Sequence, residues 1–423
     1  MTVLTAPEET QHFEDFAAGN GGADIFEKVE GLSDCLHQQA QPCTDGLGLP
    51  LCSAPAPTTP ILDDDGRCHD VIMLGSNSYL SLTTHPRVVA AAMQACERYG
   101  YGMGAVPLYA GNTLLHLELE ETLAAFLGRE DAILFPCGYS GNVGVISALC
   151  GPGDVVINDA ANHASIFDGA QLSGAEIKVY LHRNMQSLER VLRRLPDETK
   201  GRLIVTDGVF SMDGDLAPLD RIMPLARKYG ARVMVDDAHG IGVVGPTGRG
   251  TPEHFGCLGD VDILYGTLSK APGAIGGYCA GSRELVSYLR LYARTYFFST
   301  ALPAPVVAGA LEVFRLLMED PSIHDDLWRN VVYMREGLQG LGFDTGRTES
   351  AVIPVMVGDE ERLAQFHNEM RHQGVFTNLV TYPAVRRKEC RLRVNVMRTL
   401  TQEDMDRALQ IFAAVGRECG VIE

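Results

Sequence analysis

Positive charge is scarce in this sequence. Its 423 residues carry 35 Lys and Arg against 54 Asp and Glu, a formal charge of −19, whereas a general binder of the phosphate backbone concentrates basic residues. A nucleic-acid partner is therefore not expected. Long apolar runs are also missing: nothing approaches the ~20 residues of a membrane span, and the start MTVLTAPEETQHFEDF has neither the basic nor the apolar region of a secretory leader. No transmembrane segment is expected, and the cytoplasm is the expected location. The eleven cysteines lie singly from Cys35 to Cys419 without a CxxC pair, so neither a disulfide framework nor a zinc site is expected and a reducing compartment is. What is present, 46% hydrophobic and 21% charged residues, describes an ordinary soluble globular protein. At ~100–200 residues per domain its length favours two or three packed units.

The first 65 residues stand apart, with twelve acids and one base, Lys28. We read residues 1–66 as an acidic arm and linker, with short helical periodicity in FEKVEGLSDCLHQ and an extended Pro-rich stretch in PLCSAPAPTTP. From Val71 to about Thr300, short apolar runs (DAILFP, DVVIND, EIKVYL, RLIVTD, RVMVDD, DILYG, GYCAG) alternate with helical stretches. In PLDRIMPLARKYG, Leu219, Ile222, Met223 and Ala226 share one face, Pro218 suits the first turn and Gly230 the C-terminal cap. In SLERVLRRL, Leu188, Val191, Leu192 and Leu195 do the same. Alternating strand and helix with strands apolar on both faces predicts a mainly parallel α/β sheet in a large domain, residues 67–302, with ligands at the carboxyl ends of the strands. Residues 303–423, with strands AVIPVMV, GVFTNLV and CRLRVNV between helices, predict a smaller α+β domain.

Chemistry is then sought just after each strand. Lys270, one of only six lysines, follows DILYG in GTLSKAPGAIGG among Gly, Ala and Pro. A lysine in such an apolar setting has a lowered pKa and can form a Schiff base with an aldehyde; the plain alternative is a lysine at a turn. VMVDDAHG sets Asp236, Asp237 and His239 at another strand end, where a buried carboxylate can pair with a protonated pyridine nitrogen and an imidazole can meet a phenolic oxygen. Metal binding is the rival, but no Cys or second His stands at ligand spacing, so no metal is expected. FPCGYSGNVG places Gly138 and Tyr139 in a strand-to-helix turn, with the helix starting near Ser140, that offers backbone N–H groups to a phosphate. His163, after DVVIND, can stack on a flat ring or be a surface residue, and Asp207, Ser211 and Asp213 can orient a cofactor or form a turn. In chain order, Gly138, His163, Asp236 and Lys270 fit pyridoxal 5′-phosphate (PLP).

LGSNSYLSLTTHP, NHASIFDGA, DGVFSMDGDLAPL, VDDAHGIGVVGPTGRGT and GTLSKAPGAIGGY resemble the α-oxoamine synthases, fold-type-I PLP transferases. The resemblance runs from about Val71 to the C-terminus and is nearest to bacterial serine-palmitoyltransferase-like members. It implies that Lys270 binds the cofactor covalently, Asp236 pairs with the ring nitrogen, His163 stacks on the ring, and His239 and Ser211 lie near its phenolic oxygen. It further places Gly138, Tyr139 and Thr267 at the phosphate, and Ser299 and Thr300 at the phosphate of a neighbouring subunit, which implies a homodimer with shared active sites. Arg393 matches the arginine that grips the amino-acid carboxylate, and Asn77 a substrate-side amide.

Two positions depart from the family pattern: Pro107 stands where an arginine is usual, and Leu400 stands where a histidine is, with Arg398 two residues earlier. Leu400 is expected to add apolar surface near the substrate, and Arg386, Arg387, Lys388, Arg391, Arg393 and Arg398 to form a basic patch for an anionic thioester carrier. The implied reaction is a PLP-dependent decarboxylative Claisen condensation of an α-amino acid (serine, glycine or alanine type) with an acyl thioester, on coenzyme A or acyl carrier protein, giving an α-amino ketone. The rivals are another fold-type-I PLP reaction, such as transamination or aldol cleavage, and a non-catalytic partner subunit, which would not need Lys270.

Overall fold

The apolar runs form strands as their sequences require. The structure, a computed structural model, describes Asp24 and residues 26–38, 47–63 and 66–423; the rest of the acidic arm lies outside the described residues. β1 (Thr58–Leu62) and β2 (Cys68–Met73) pair antiparallel. The central sheet takes β3 (Asp131–Phe135), β4 (Val155–Asp159), β5 (Glu176–Tyr180), β6 (Arg202–Asp207), β7 (Arg232–Asp236), β8 (Ile263–Thr267) and β9 (Gly277–Gly281) in the order β3-β9-β8-β7-β6-β4-β5. β5, β4, β6, β7 and β8 run parallel, and β9 lies antiparallel between β8 and β3.

Side chains alternate between two packed faces. Val155 and Ile157 belong to one buried cluster and Val156 to another, and Val233 and Val235 likewise sit opposite Met234. That double burial is why the strands read as continuous apolar runs. The amphipathic helix Leu219–Tyr229 buries Leu219, Ile222, Met223 and Ala226 and ends on the left-handed Gly230, as expected. Pro218 is its N-cap rather than a first-turn residue, and the helix expected near Ser140 begins at Gly138.

In the C-terminal part, β10 (Val352–Met356), β12 (Asn378–Val380) and β13 (Arg391–Asn395) form a sheet in the order β10-β13-β12. The run GVFTNLV is divided: Val375–Phe376 forms β11, which pairs in parallel with β2, and only β12 joins β13. β2 is thus held by strands from both ends of the chain.

The Pro-rich stretch does not stay a free linker. Its end is β1, Leu51 bridges to Ile61, and Cys52 and Cys68 are joined by a disulfide. The expectation of no disulfide is therefore corrected. The pairing of Leu62 with Cys68, together with the Cys52 N–H bonded to the Pro60 carbonyl, lays the two thiols side by side, 16 residues apart in sequence. Spacing alone carries no sign of it.

Candidate active site

Three neighbouring strands end at one level. Their last residues, Asp207 of β6, Asp236 of β7 and Thr267 of β8, line a single cavity of about 220 Å3. Asp207 and Asp236 are register partners on adjacent parallel strands, so their side chains leave the sheet on the same side. The loops that follow bring Ser211, His239 and Lys270 to the same cavity, and the turns after β3 and β4 bring Gly138, Tyr139 and His163. Ser299 and the exposed Thr300 are not part of its lining.

One end is built for an anion. Cys137 caps the helix Gly138–Leu149, whose first N–H groups have no partner inside the helix and carry the positive end of its dipole. Gly138 is required there: a Cβ would stand 2.9 Å from the Thr267 hydroxyl. Thr267 donates to the Gly276 carbonyl at 2.8 Å, which ties the floor of this end to the loop carrying Lys270.

At the other end lie the titratable groups. Burial, then the charge of Arg393, pulls the Lys270 amine down to about 8 against the opposing pull of Asp236. Burial also raises Asp236, opposed by a 2.6 Å hydrogen bond from Asn142 Nδ2. Burial, reinforced by Lys270 and Arg393, drives His239 well below the ordinary imidazole value, so it is neutral. Its Nδ1 lies 2.7 Å from the hydroxyl of Tyr79, which burial keeps protonated.

Asp237, beside Asp236 in sequence, does other work. It accepts from the Thr251 N–H at 2.6 Å and the Thr251 hydroxyl at 2.7 Å, bracing the loop between them, while burial lifts it to about 7. Asp213 is drawn away from the cavity to Arg391, at 2.6 Å.

Arg393, on β13 in the C-terminal part, does not line the cavity but stands close enough for its charge to act on Lys270. Nη1 meets the Ser211 carbonyl at 3.3 Å and Nη2 meets Asn77 Oδ1 at 3.4 Å, both long, while Nε is buried without a hydrogen-bond partner. Such a guanidinium fork is underused and suited to a carboxylate. Asn77 is itself fixed by Asn395 Nδ2 at 3.2 Å.

The expected basic patch is not one surface. Arg391 is buried against Met212 and Asp213, and Arg398 donates to the Leu80 carbonyl; Arg386 and Arg387 stand apart from these, beside Glu389 and Glu360. Leu400 also departs from expectation: it is buried in the hydrophobic core, its carbonyl held by Asn330, so it adds no apolar surface to the substrate site. Pro107 opens a one-turn π-helix, Pro107–Gly111, outside the cavity.

Tyr79, Asn142 and Ser165 were not singled out from the sequence. They lie in SNSY, GYSGN and NHAS, and the signal that marks all three is a polar side chain in a buried stretch, which needs a hydrogen-bond partner.

Two other clusters are already satisfied by their own contacts. A cleft of about 640 Å3 lies at the amino ends of the strands, but its arginines are engaged: Arg129 by the Leu258 and Val261 carbonyls, Arg202 by Tyr229 and Arg232 by Asp262. His182, Asp213 and Asp215 have ligand atoms within 4.8 Å of one another, yet Arg183 and Arg391 already neutralise the two carboxylates.

Known proteins share this sequence pattern and fold. The aminotransferase class I and II family matches residues 69–412. An 8-amino-7-oxononanoate synthase of Thermoanaerobacter pseudethanolicus is 45% identical over 367 residues, 87% of this chain and 92% of that protein. A 4-hydroxy-2,2′-bipyrrole-5-methanol synthase of Serratia sp. is 44% identical over 94% of this chain, which spans 61% of that longer protein. A serine palmitoyltransferase from S. paucimobilis, solved with bound PLP and myriocin, superposes with a TM-score of 0.89 at 35% identity, covering 94% of this chain and 100% of that one.

The chain belongs to the α-oxoamine synthases. It has their fold-type-I architecture and is a PLP-dependent C-acyltransferase that condenses an amino acid with an acyl thioester. The cavity fits the cofactor on its own terms. Its volume, about 220 Å3, lies below the ~300–1,000 Å3 of drug-sized sites and suits one substituted ring. Helix N–H groups at one end, a buried carboxylate and a lysine of lowered pKa match the phosphate, ring nitrogen and aldehyde of PLP.

Proposed function

We propose that this α-oxoamine synthase joins a small α-amino acid of the serine, glycine or alanine type to the acyl group of coenzyme A or a carrier protein, at the cavity that holds Lys270. The observation carrying the proposal is the meeting of a lysine of lowered pKa, a buried carboxylate and an underused arginine fork in one place. When bound, PLP supplies an electron sink for charge left on the amino acid's α-carbon.

The residues do the rest. The N–H groups of Gly138 and Tyr139, with Thr267, take the phosphate; Asp236 holds a proton at the ring nitrogen; His163 covers one face; His239 and Ser211 sit near the phenolic oxygen. Arg393, steadied by Asn77, grips the carboxylate. Lys270, whose value of about 8 leaves a share of neutral amine near neutrality, takes the α-proton. The α-carbon then bonds to the thioester carbonyl carbon, the C–S bond breaks with its electron pair on sulfur, and the thiolate leaves and takes a proton from water. Loss of carbon dioxide follows, and Lys270 returns the proton.

Ser299 and Thr300 complete the site from a second copy. In support, they do not line the cavity of their own chain, and they follow an exposed aromatic group in which Tyr109 packs on Phe297 and Phe297 on Phe298. Tyr109 is 80% and Phe298 69% exposed, an apolar surface that a homodimer would cover. The cytoplasm is the proposed location; among the described residues no helix is long and apolar enough to cross a membrane.

Mass spectrometry of products, after incubating purified protein with a panel of amino acids and acyl thioesters, tests the reading. An α-amino ketone lacking the amino acid's carboxyl group is expected; an α-keto acid or an aldehyde as the only product would replace it with transamination or aldol cleavage.

A further inference from the structure

The Asp236 carboxylate at the end of β7 and the His163 imidazole in the turn after β4 are joined by two residues that the mechanism does not use. Asn142 Nδ2 donates to Asp236 Oδ2 at 2.6 Å and to Ser165 Oγ at 2.9 Å. An amide nitrogen only donates, so Ser165 Oγ accepts from it and is left one hydrogen to give. His163 Nδ1 lies 2.8 Å from the same Oγ, within reach of that hydrogen. The Ser165 backbone N–H donates to the same Nδ1 at 3.3 Å, because His163 caps the helix Ala164–Ser173. Two donors on one nitrogen require a lone pair there. Turning the Asn142 amide over would set Oδ1 against the Asp236 carboxylate, so the direction of the chain is fixed.

We propose that Asn142 and Ser165 are positioning residues that lock His163 in its Nε2–H tautomer and tie its ring to Asp236, so that the group over the cofactor's face and the group at its nitrogen are set as one unit. Asn142 and Ser165 are 2% and 0% exposed, so their side chains take their hydrogen-bond partners from the protein. The backbone N–H of His163 also meets Asp207 Oδ1, at 3.4 Å, which ties the same loop to the neighbouring strand end.

The inference rests on the proposed roles of His163 and Asp236, but its test does not. In full-length protein labelled with 15N-histidine and assigned with His163→Gln, the imidazole nitrogens are read with and without PLP. The expected result is an unprotonated Nδ1 and a protonated Nε2 in both states. Ser165→Ala should release this into a mixture of tautomers while PLP content stays at one per chain, and Ser165→Cys, which keeps a weak donor, should restore it in part. Asn142→Ser, a second probe, should also weaken PLP binding about tenfold, the loss usual for an orienting partner. An unchanged Nε2–H tautomer in folded Ser165→Ala and Asn142→Ser would overturn the proposal. Absence of PLP from Lys270 would overturn the functional reading alone, since the tautomer is read in the cofactor-free protein.

Discussion

Lys270 and Asp236 were legible in the sequence because Asp236 ends one strand and Lys270 follows another, and in a parallel sheet that position decides what reaches the site. Tyr79 was not legible, since its contact with His239 spans 160 residues and depends on β2 being held beside the C-terminal part. Two predictions belong at this scale. Borohydride treatment of PLP-loaded protein should fix a pyridoxyl group on Lys270, read by peptide mapping; a label on another lysine contradicts the assignment. Tyr79→Phe should lower kcat about tenfold with little change in PLP content, as expected for loss of an orienting hydroxyl, and should alter the pH dependence of the cofactor's absorbance. An unaltered profile would make Tyr79 a packing residue.

At the scale of elements, the central strands could be read from their apolar runs, whereas the pairing of β2 with β11 could not, because two residues of β11 carry no periodicity. Contacts across the fold were hidden for the same reason. His182, just after β5, bonds Asp159 at 2.9 Å and Asp215 at 3.2 Å, and the neighbouring Arg183 reaches Asp215 and Glu349. Burial opposes the imidazolium, but the two carboxylates overcome it and raise His182 to about 10. A folded-state value above the unfolded one gives stability that is fully present below the ordinary imidazole value and lost as pH rises through about 10. His182→Gln should therefore cost roughly 1–3 kcal/mol at neutral pH, and the cost should shrink at alkaline pH. Thermal unfolding across that range checks it; a pH-independent difference would contradict it.

For the whole molecule, the family and its chemistry were legible because the motifs occur in order along one chain, but composition said nothing of the disulfide or of which basic residues would be buried. The proposed sharing of sites between two copies leads to a complementation result. Dimers mixed from Lys270→Ala and a Ser299→Ala/Thr300→Ala variant should contain one intact site, and should recover activity that neither parent has. No recovery in verified mixed dimers would show that each chain builds its site alone. The most direct measurement of the central claim is the stoichiometry of thiol and carbon dioxide released by purified protein given an amino acid and an acyl thioester it accepts. The account predicts equal amounts of both, each dependent on the other substrate and absent in Lys270→Ala. Carbon dioxide without thiol, thiol without carbon dioxide, or equal release by Lys270→Ala would contradict it.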